Sequence, residues 1–302
     1  MVTTEEGWFQ TKDGAKLYTK TWKPDASPTA RLVFVHGFSD HCNAYYDLFP
    51  TLASPPYSIE VNAFDQRGWG RSVHSDSEKG LTGPTSKVLD DINQFVKSVS
   101  DDTLPLFVAG HSMGGGQVLH YILTTDPAIT ATRPRIAGVL LEAPFVALDP
   151  ATAPNPIVVA VGKLAAKILP NRQLLQPLSA AYMSRSEKVK NDWVEDRLCH
   201  DTGTLAGLDG MLQRSSDLVA LSQGKPVNRI LSLDATQRLY EAIQYDGGEK
   251  QLKVYPGAYH KLHAEPDGVG DQFAKDVGDW IVNKAKVWEK SGPTGKSGGS
   301  KL

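Results

Sequence analysis

Residues 104–123 read LPLFVAGHSMGGGQVLHYIL: an apolar run, four glycines among residues 110 to 116, and then a helix-like pattern. A strand that turns into a helix with no connecting loop leaves room only for glycine on either side of the turn. Gly110-His111-Ser112-Met113-Gly114 therefore predicts a tight strand-to-helix turn with Ser112 at its tip. A serine there faces the free N–H groups of a helix N-terminus, where negative charge is favoured. The alternative, a glycine-rich turn carrying a surface serine, leaves the four glycines unexplained.

The rest of the chain fits a parallel sheet around that turn. RLVFVHGF and IAGVLLEAPF are apolar throughout, as are the strands buried on both faces of a parallel sheet, and SIEVNAFDQRGWGRS repeats a strand followed by a Gly-rich turn. Leu89, Ile92, Val96 and Val99 recur at helical spacing. Two strand-like runs flank Lys12-Asp13-Gly14, which predicts a first hairpin. From about Val146 to Leu221 strand signals disappear and proline becomes frequent, the character of a helical cap inserted between sheet elements. Within it, NPIVVAVGKLAAKILP reads as an amphipathic helix with Lys163 and Lys167 on its polar side. Its apolar face serves either to pack on the core or to meet lipid aggregates. The α/β pattern then resumes with a helix around DATQRLYEAIQ, a strand KQLKVYPG, and a last helix to about Val287. Residues 1–290 thus read as one α/β domain with a cap at about 146–221, and 291–302 as a flexible Gly/Ser/Lys tail.

Composition excludes several roles. The 302 residues carry a formal net charge of −2 with no block of like charges, which argues against nucleic acid as a partner. No apolar run is long enough to cross a bilayer. Cys42 and Cys199 lack metal-ligand spacing and are expected as reduced thiols of an intracellular protein; no metal or organic cofactor is implied.

A serine hydroxyl needs a base, and His260, in VYPGAYHKLHAEP after the last apolar run, is the well-placed candidate. His263 is read as a pocket residue; His74, His120 and His200 are read as solvated or structural. The oxyanion of a tetrahedral intermediate needs two donors. The Met113 N–H, next to the nucleophile, and the Phe38 N–H, after Gly37, are the candidates.

Together FVHGFSDHCNAYYDLFP, FDQRGWGRS, GHSMGGG, LEAPF, DRLCHDTGTL and LKVYPGAYHKLHAEPDG resemble the α/β-hydrolase fold, and within it the monoacylglycerol lipase-like serine hydrolases, over residues 31 to 271. The resemblance implies a mostly parallel sheet with helices on both faces, a helical cap, and cleavage of monoacylglycerols or similar carboxylic esters through an acyl-enzyme at Ser112. It also implies that Asp40 and His41 hold a glycerol head and that Cys199 sits in the cap near the pocket. One departure concerns the catalytic acid, expected after a strand in the stretch QGKPVNRILSLDATQ. In one alignment Asn228 takes the acid's place and most of the strand near 225–233 is missing. In the other, KPVNRILSL is a shortened strand and Asp234 is the acid.

The chain ends in Ser300-Lys301-Leu302, an S-K-L address read by the peroxisomal import receptor. That compartment widens the expected substrates from acyl esters to acyl thioesters, with thioester hydrolysis or acyl transfer in fatty-acid-derived secondary metabolism as the alternative. A third reading is a catalytically impaired relative that binds acyl ligands.

Overall fold

A computed structural model describes residues 1–101, 103–147, 155–221, 233–243 and 249–291. The opening hairpin pairs β1 (Thr3–Gln10) with β2 (Lys16–Lys23) in antiparallel register, with Gly14 in the left-handed region at φ +86° as an Asp-Gly turn requires. Next come β3 (Ala30–Val35), α1 (Leu48–Ala53), β4 (Ile59–Phe64), α2 (Thr85–Val99), β5 (Leu106–His111), α3 (Met113–Leu123), α4 (Pro127–Thr130) and β6 (Gly138–Glu142). The sheet order is β1-β2-β4-β3-β5-β6, and β3 to β6 run parallel.

The uniformly apolar strands are explained by helices on both faces. Leu32, Phe34, Ile59, Val61, Phe107 and Ala109 point to one side and pack with Leu48, Phe49 and Leu52 of α1 and Ile281 of the last helix. Val33, Val35, Phe64, Leu106 and Val108 point to the other, against Leu89, Ile92 and Val96 of α2 and Val118 and Tyr121 of α3. Chain order in a parallel sheet sends the C-terminal ends of β3, β4, β5 and β6 to one edge, where the candidate residues gather.

The cap comprises α5 (Pro156–Ile168), β7 (Gln173–Leu175), α6 (Glu187–Glu195), β8 (Thr202–Thr204) and α7 (Leu205–Leu221). The β7–β8 ribbon corrects the expectation that the cap has no strands. The remaining described helices are α8 (Leu233–Ala242) and α9 (Val269–Ser291), the latter four residues longer than the sequence pattern indicates. The strand expected at KQLKVYPG does not form among the described residues. A ladder needs a neighbour, and here Lys253 and Tyr255 instead bond Asp276 of α9 through their side chains. The stretch near 225–233 falls outside the described residues except for its last residue, Leu233, which begins α8. Ser300, Lys301 and Leu302 also lie outside the described residues.

Candidate active site

Ser112 stands between β5 and α3 with φ 53° and ψ −119°, a region that L-residues rarely occupy. The turn around it leaves no space for side chains. A Cβ on Gly110 would lie 2.5 Å from the Gly114 carbonyl oxygen, and one on Gly114 would lie 2.1 Å from that of Val35. The strained residue is braced on both sides: its N–H donates to the Glu142 carbonyl at 3.0 Å, and its carbonyl accepts from the Phe145 N–H at 2.8 Å. Backbone strain held this firmly marks a functional position.

Two amides flank the serine without an acceptor among the described residues: Met113 N–H, at the first position of α3, and Phe38 N–H, after β3. Gly37 lets the Phe38 loop approach, since a Cβ there would meet the Ser112 Cβ at 3.2 Å. These are the two donors an oxyanion requires.

His260 is partly exposed and lies with its ring 4.8 Å from that of His111, the residue before Ser112. The loop is fixed through its backbone, as the His260 N–H donates to Tyr182 O at 3.2 Å and the Lys261 N–H to Met183 O at 2.7 Å. No hydrogen bond joins the Ser112 hydroxyl to the His260 ring here; unliganded sites commonly close that contact only with substrate bound. Desolvation, followed by the neighbouring His111, pushes the His260 pKa down to about 3, so the imidazole is neutral in the unliganded site. Asn228 lies outside the described residues. The backbone of Asp234 belongs to the first turn of α8, and its side chain is outside the described set.

Asp40, His41 and His263 do not line the cleft. Asp40 is buried and accepts from Lys261 Nζ at 3.0 Å, from the Tyr45 hydroxyl at 3.2 Å and from the His41 N–H at 3.0 Å. Burial opposes its charge, but Lys261, then His111, hold the carboxyl well below the usual range. His41 Nε2 pairs with Asp196 of the cap at 2.8 Å. His263 pairs with Glu142 at 2.7 Å, and against the cost of burial His263, then His111, keep the Glu142 pKa down at about 2. Lys261, Tyr45, His111 and Glu142, which the sequence reading missed, thus form a buried polar floor beneath Ser112 and His260. The available signals were Lys261 between two histidines and Glu142 closing an otherwise apolar strand.

The cap is pinned to these loops. Trp193 Nε1 donates to Ser39 O at 2.9 Å, and the Arg185 guanidinium pairs with Glu265 at 2.7 Å. His200 stacks on Trp69 with ring centroids 4.6 Å apart. Gly80, at φ +69°, touches the cap so closely that a Cβ would lie 2.3 Å from Thr202 O. His41, Asp196 and Cys199 place one ligand-type atom each within 4.8 Å of one another. Burial raises the Cys199 pKa and keeps its thiol protonated. Phe38, Trp69, Met113, Gln117, Leu208 and Met211 line a narrow cleft of about 10 Å³ between the oxyanion amides and α7.

Comparison with known proteins agrees with this geometry. The family Hydrolase_4, described as serine aminopeptidase S33, matches residues 26–267. A putative monoglyceride lipase of Schizosaccharomyces pombe is 34% identical over 288 residues, covering 91% of this chain and 73% of that one. The monoglyceride lipase of Mus musculus is 27% identical, covering 90% and 88%. Among solved structures, a soluble variant of monoglyceride lipase from Saccharomyces cerevisiae in complex with a substrate analog superposes with a TM-score of 0.79 at 23% identity, covering 94% of this chain and 96% of that one. With that match over most of its length and a strand-to-helix serine turn in the same framework, the chain belongs to the Hydrolase_4 family and has the α/β-hydrolase fold.

Proposed function

We propose that the protein is a serine ester hydrolase that cleaves monoacylglycerols or closely similar acyl esters. The observation that carries this reading is Ser112, held at φ 53° between two amides with no other acceptor among the described residues. The Ser112 oxygen attacks the ester carbonyl while His260 takes its proton. Met113 and Phe38 N–H groups stabilise the oxyanion, and His260 returns the proton to the leaving alcohol. Water then repeats the sequence on the acyl-enzyme and releases the acid. Lipase names among the relatives support the ester class. Purified protein should release fatty acid and glycerol from monoacylglycerol and lose at least about 10³-fold in turnover as Ser112→Ala; equal turnover by both would refute the reading.

Asp234 is assigned here as the acid that orients His260. If Asp234→Ala leaves turnover of a short aryl ester unchanged while Asn228→Asp raises it, that assignment fails and the acid position is vacant. The terminal Ser300-Lys301-Leu302 supports import into peroxisomes, and with it substrates from fatty-acid metabolism, secondary metabolites included. A fluorescent protein fused after Leu302 should abolish peroxisomal puncta, because the receptor reads a free C-terminus. Exposed Ile157, Val161, Leu164 and Ile168 form one stripe on α5, with Lys163 and Lys167 beside it, and support contact of the cap with a lipid surface.

A further inference from the structure

Three side chains with ligand-type atoms meet where the cap closes on the core. His41 stands in the loop after β3, and Asp196 and Cys199 in the turn that follows α6; one donor atom of each lies within 4.8 Å of the other two. None of the three lines the cleft beside Met113. Donors so spaced need only small side-chain movements to close on one tetrahedral ion, whose ligands lie about 3–4 Å apart.

The turn holds its two donors firmly. The Cys199 N–H donates to Asp196 O at 3.0 Å, and the Leu198 N–H donates to Asp196 Oδ1 at 2.8 Å. The second carboxylate oxygen, Oδ2, is left facing His41 Nε2 at 2.8 Å across the seam. Two ligands three residues apart on one tight turn is the spacing by which Cys-x2-Cys holds zinc. The third donor comes from the core, where the His41 side chain is 4% exposed; that of Asp196 is 33% exposed, which leaves an entry path from solvent. The Cys199 thiol has no hydrogen-bond partner among the described residues.

The surroundings favour a cation. Asp196 has no lysine or arginine partner among the described residues. Burial, then Asp40, opposed by Lys261 and joined by Asp196 and Asp65, disfavours a bare Cys199 thiolate. A divalent ion supplies the positive charge that these carboxylates lack, and a thiol that coordinates it gives up its proton outright. Sulfur, imidazole nitrogen and carboxylate oxygen, with water in the fourth position, form a donor set suited to Zn²⁺.

We propose that His41, Asp196 and Cys199 form a zinc site that clamps the cap to the loop after β3. The His41 Nδ1 accepts from the Asn43 N–H at 3.2 Å, so without the ion the ring proton sits on Nε2 and is shared with Asp196. On binding, the ring proton moves to Nδ1 at the expense of that long Asn43 contact, Nε2 and Oδ2 turn to the ion, and the thiol proton passes to water. One proton is released per ion. The clamp crosses the same seam as the Trp193 bond to Ser39 O, in the loop that carries Phe38, so zinc holds the cap and the oxyanion loop together. The site goes beyond the hydrolase reading and does not depend on it.

The test titrates Zn²⁺ into the full, untagged chain against a chromophoric chelator, with a phosphine keeping the thiols reduced. One ion should bind with a dissociation constant of about 1 μM or below. Cys199→Ser and Asp196→Asn should each weaken binding at least about tenfold. Co²⁺ in place of Zn²⁺ should give a thiolate-to-metal charge-transfer band that Cys199→Ser abolishes and Cys42→Ala keeps. Zinc should also slow hydrogen exchange over residues 187–204 of the cap in the wild type and not in Cys199→Ser. Weaker or non-stoichiometric binding overturns the proposal, as does an affinity or charge-transfer band that survives Cys199→Ser. Zinc that binds and leaves cap exchange unchanged overturns it too, showing an adventitious ion and no clamp. Where Cys199→Ser does not fold, Asp196→Asn decides by affinity and exchange.

Discussion

The loops at the strand ends and the cap above them satisfy their side chains by opposite means. Under Ser112, ionisable groups are buried in pairs, Asp40 with Lys261 and Glu142 with His263, and glycines allow backbone contacts that no other residue permits. On α5, large apolar side chains stand in solvent: Ile157 is 72% exposed and Ile168 70%. The floor fixes geometry at the reacting atoms. The cap helix leaves its apolar side chains outside the core, so substitutions in the two regions should have different signatures.

Gly114→Ala carries the largest expected effect. With Val35 O 2.1 Å from the new Cβ, the elbow cannot form without moving β3, at a cost of about 4 kcal/mol or more. Soluble expression and a urea melt would show it. Lys261→Met comes next, leaving Asp40 buried without its cation at a cost of about 3–5 kcal/mol; Asp40→Asn in the same chain should recover part of that loss.

The pH response is smaller. Desolvation, then Lys79, lowers the His200 pKa from 6.5 to about 4. Because the folded pKa is depressed, the unfolded chain binds the proton first. The contribution of neutral His200 is therefore fully present above pH 6.5 and is lost as pH falls from 6.5 toward 4. Between pH 7 and 5 this site should remove about 1–2 kcal/mol, and His200→Phe, which keeps a ring on Trp69, should flatten that slope in urea melts. On the exposed helix, Val161→Ser with Leu164→Ser should change stability by no more than about 0.5 kcal/mol. The same pair should lower turnover of emulsified monoacylglycerol while sparing a water-soluble ester. A large loss of stability would mean that the stripe is core.

The same contrast separates what the residues disclosed from what they hid. Apolar runs such as RLVFV and LPLFVA show strands buried on both faces, and Gly110 and Gly114 show the elbow, because in each case the local pattern is the physical cause. Asp40 and Lys261 are 221 residues apart, and nothing near either says that they pair in the interior. Each looks like an ordinary solvated charge. The β7 and β8 strands are three residues each, too short for a period to emerge. KQLKVYPG has strand composition, but a strand also needs a neighbour, and side-chain bonds to α9 hold Lys253 and Tyr255 instead.

A nucleophilic Ser112 at the strained turn is tested most directly by a fluorophosphonate probe on the purified, folded protein. The wild type should be labelled at Ser112 on a tryptic peptide, and Ser112→Ala should not be labelled. Absence of labelling in the folded wild type, or labelling that persists in Ser112→Ala, would contradict the assignment.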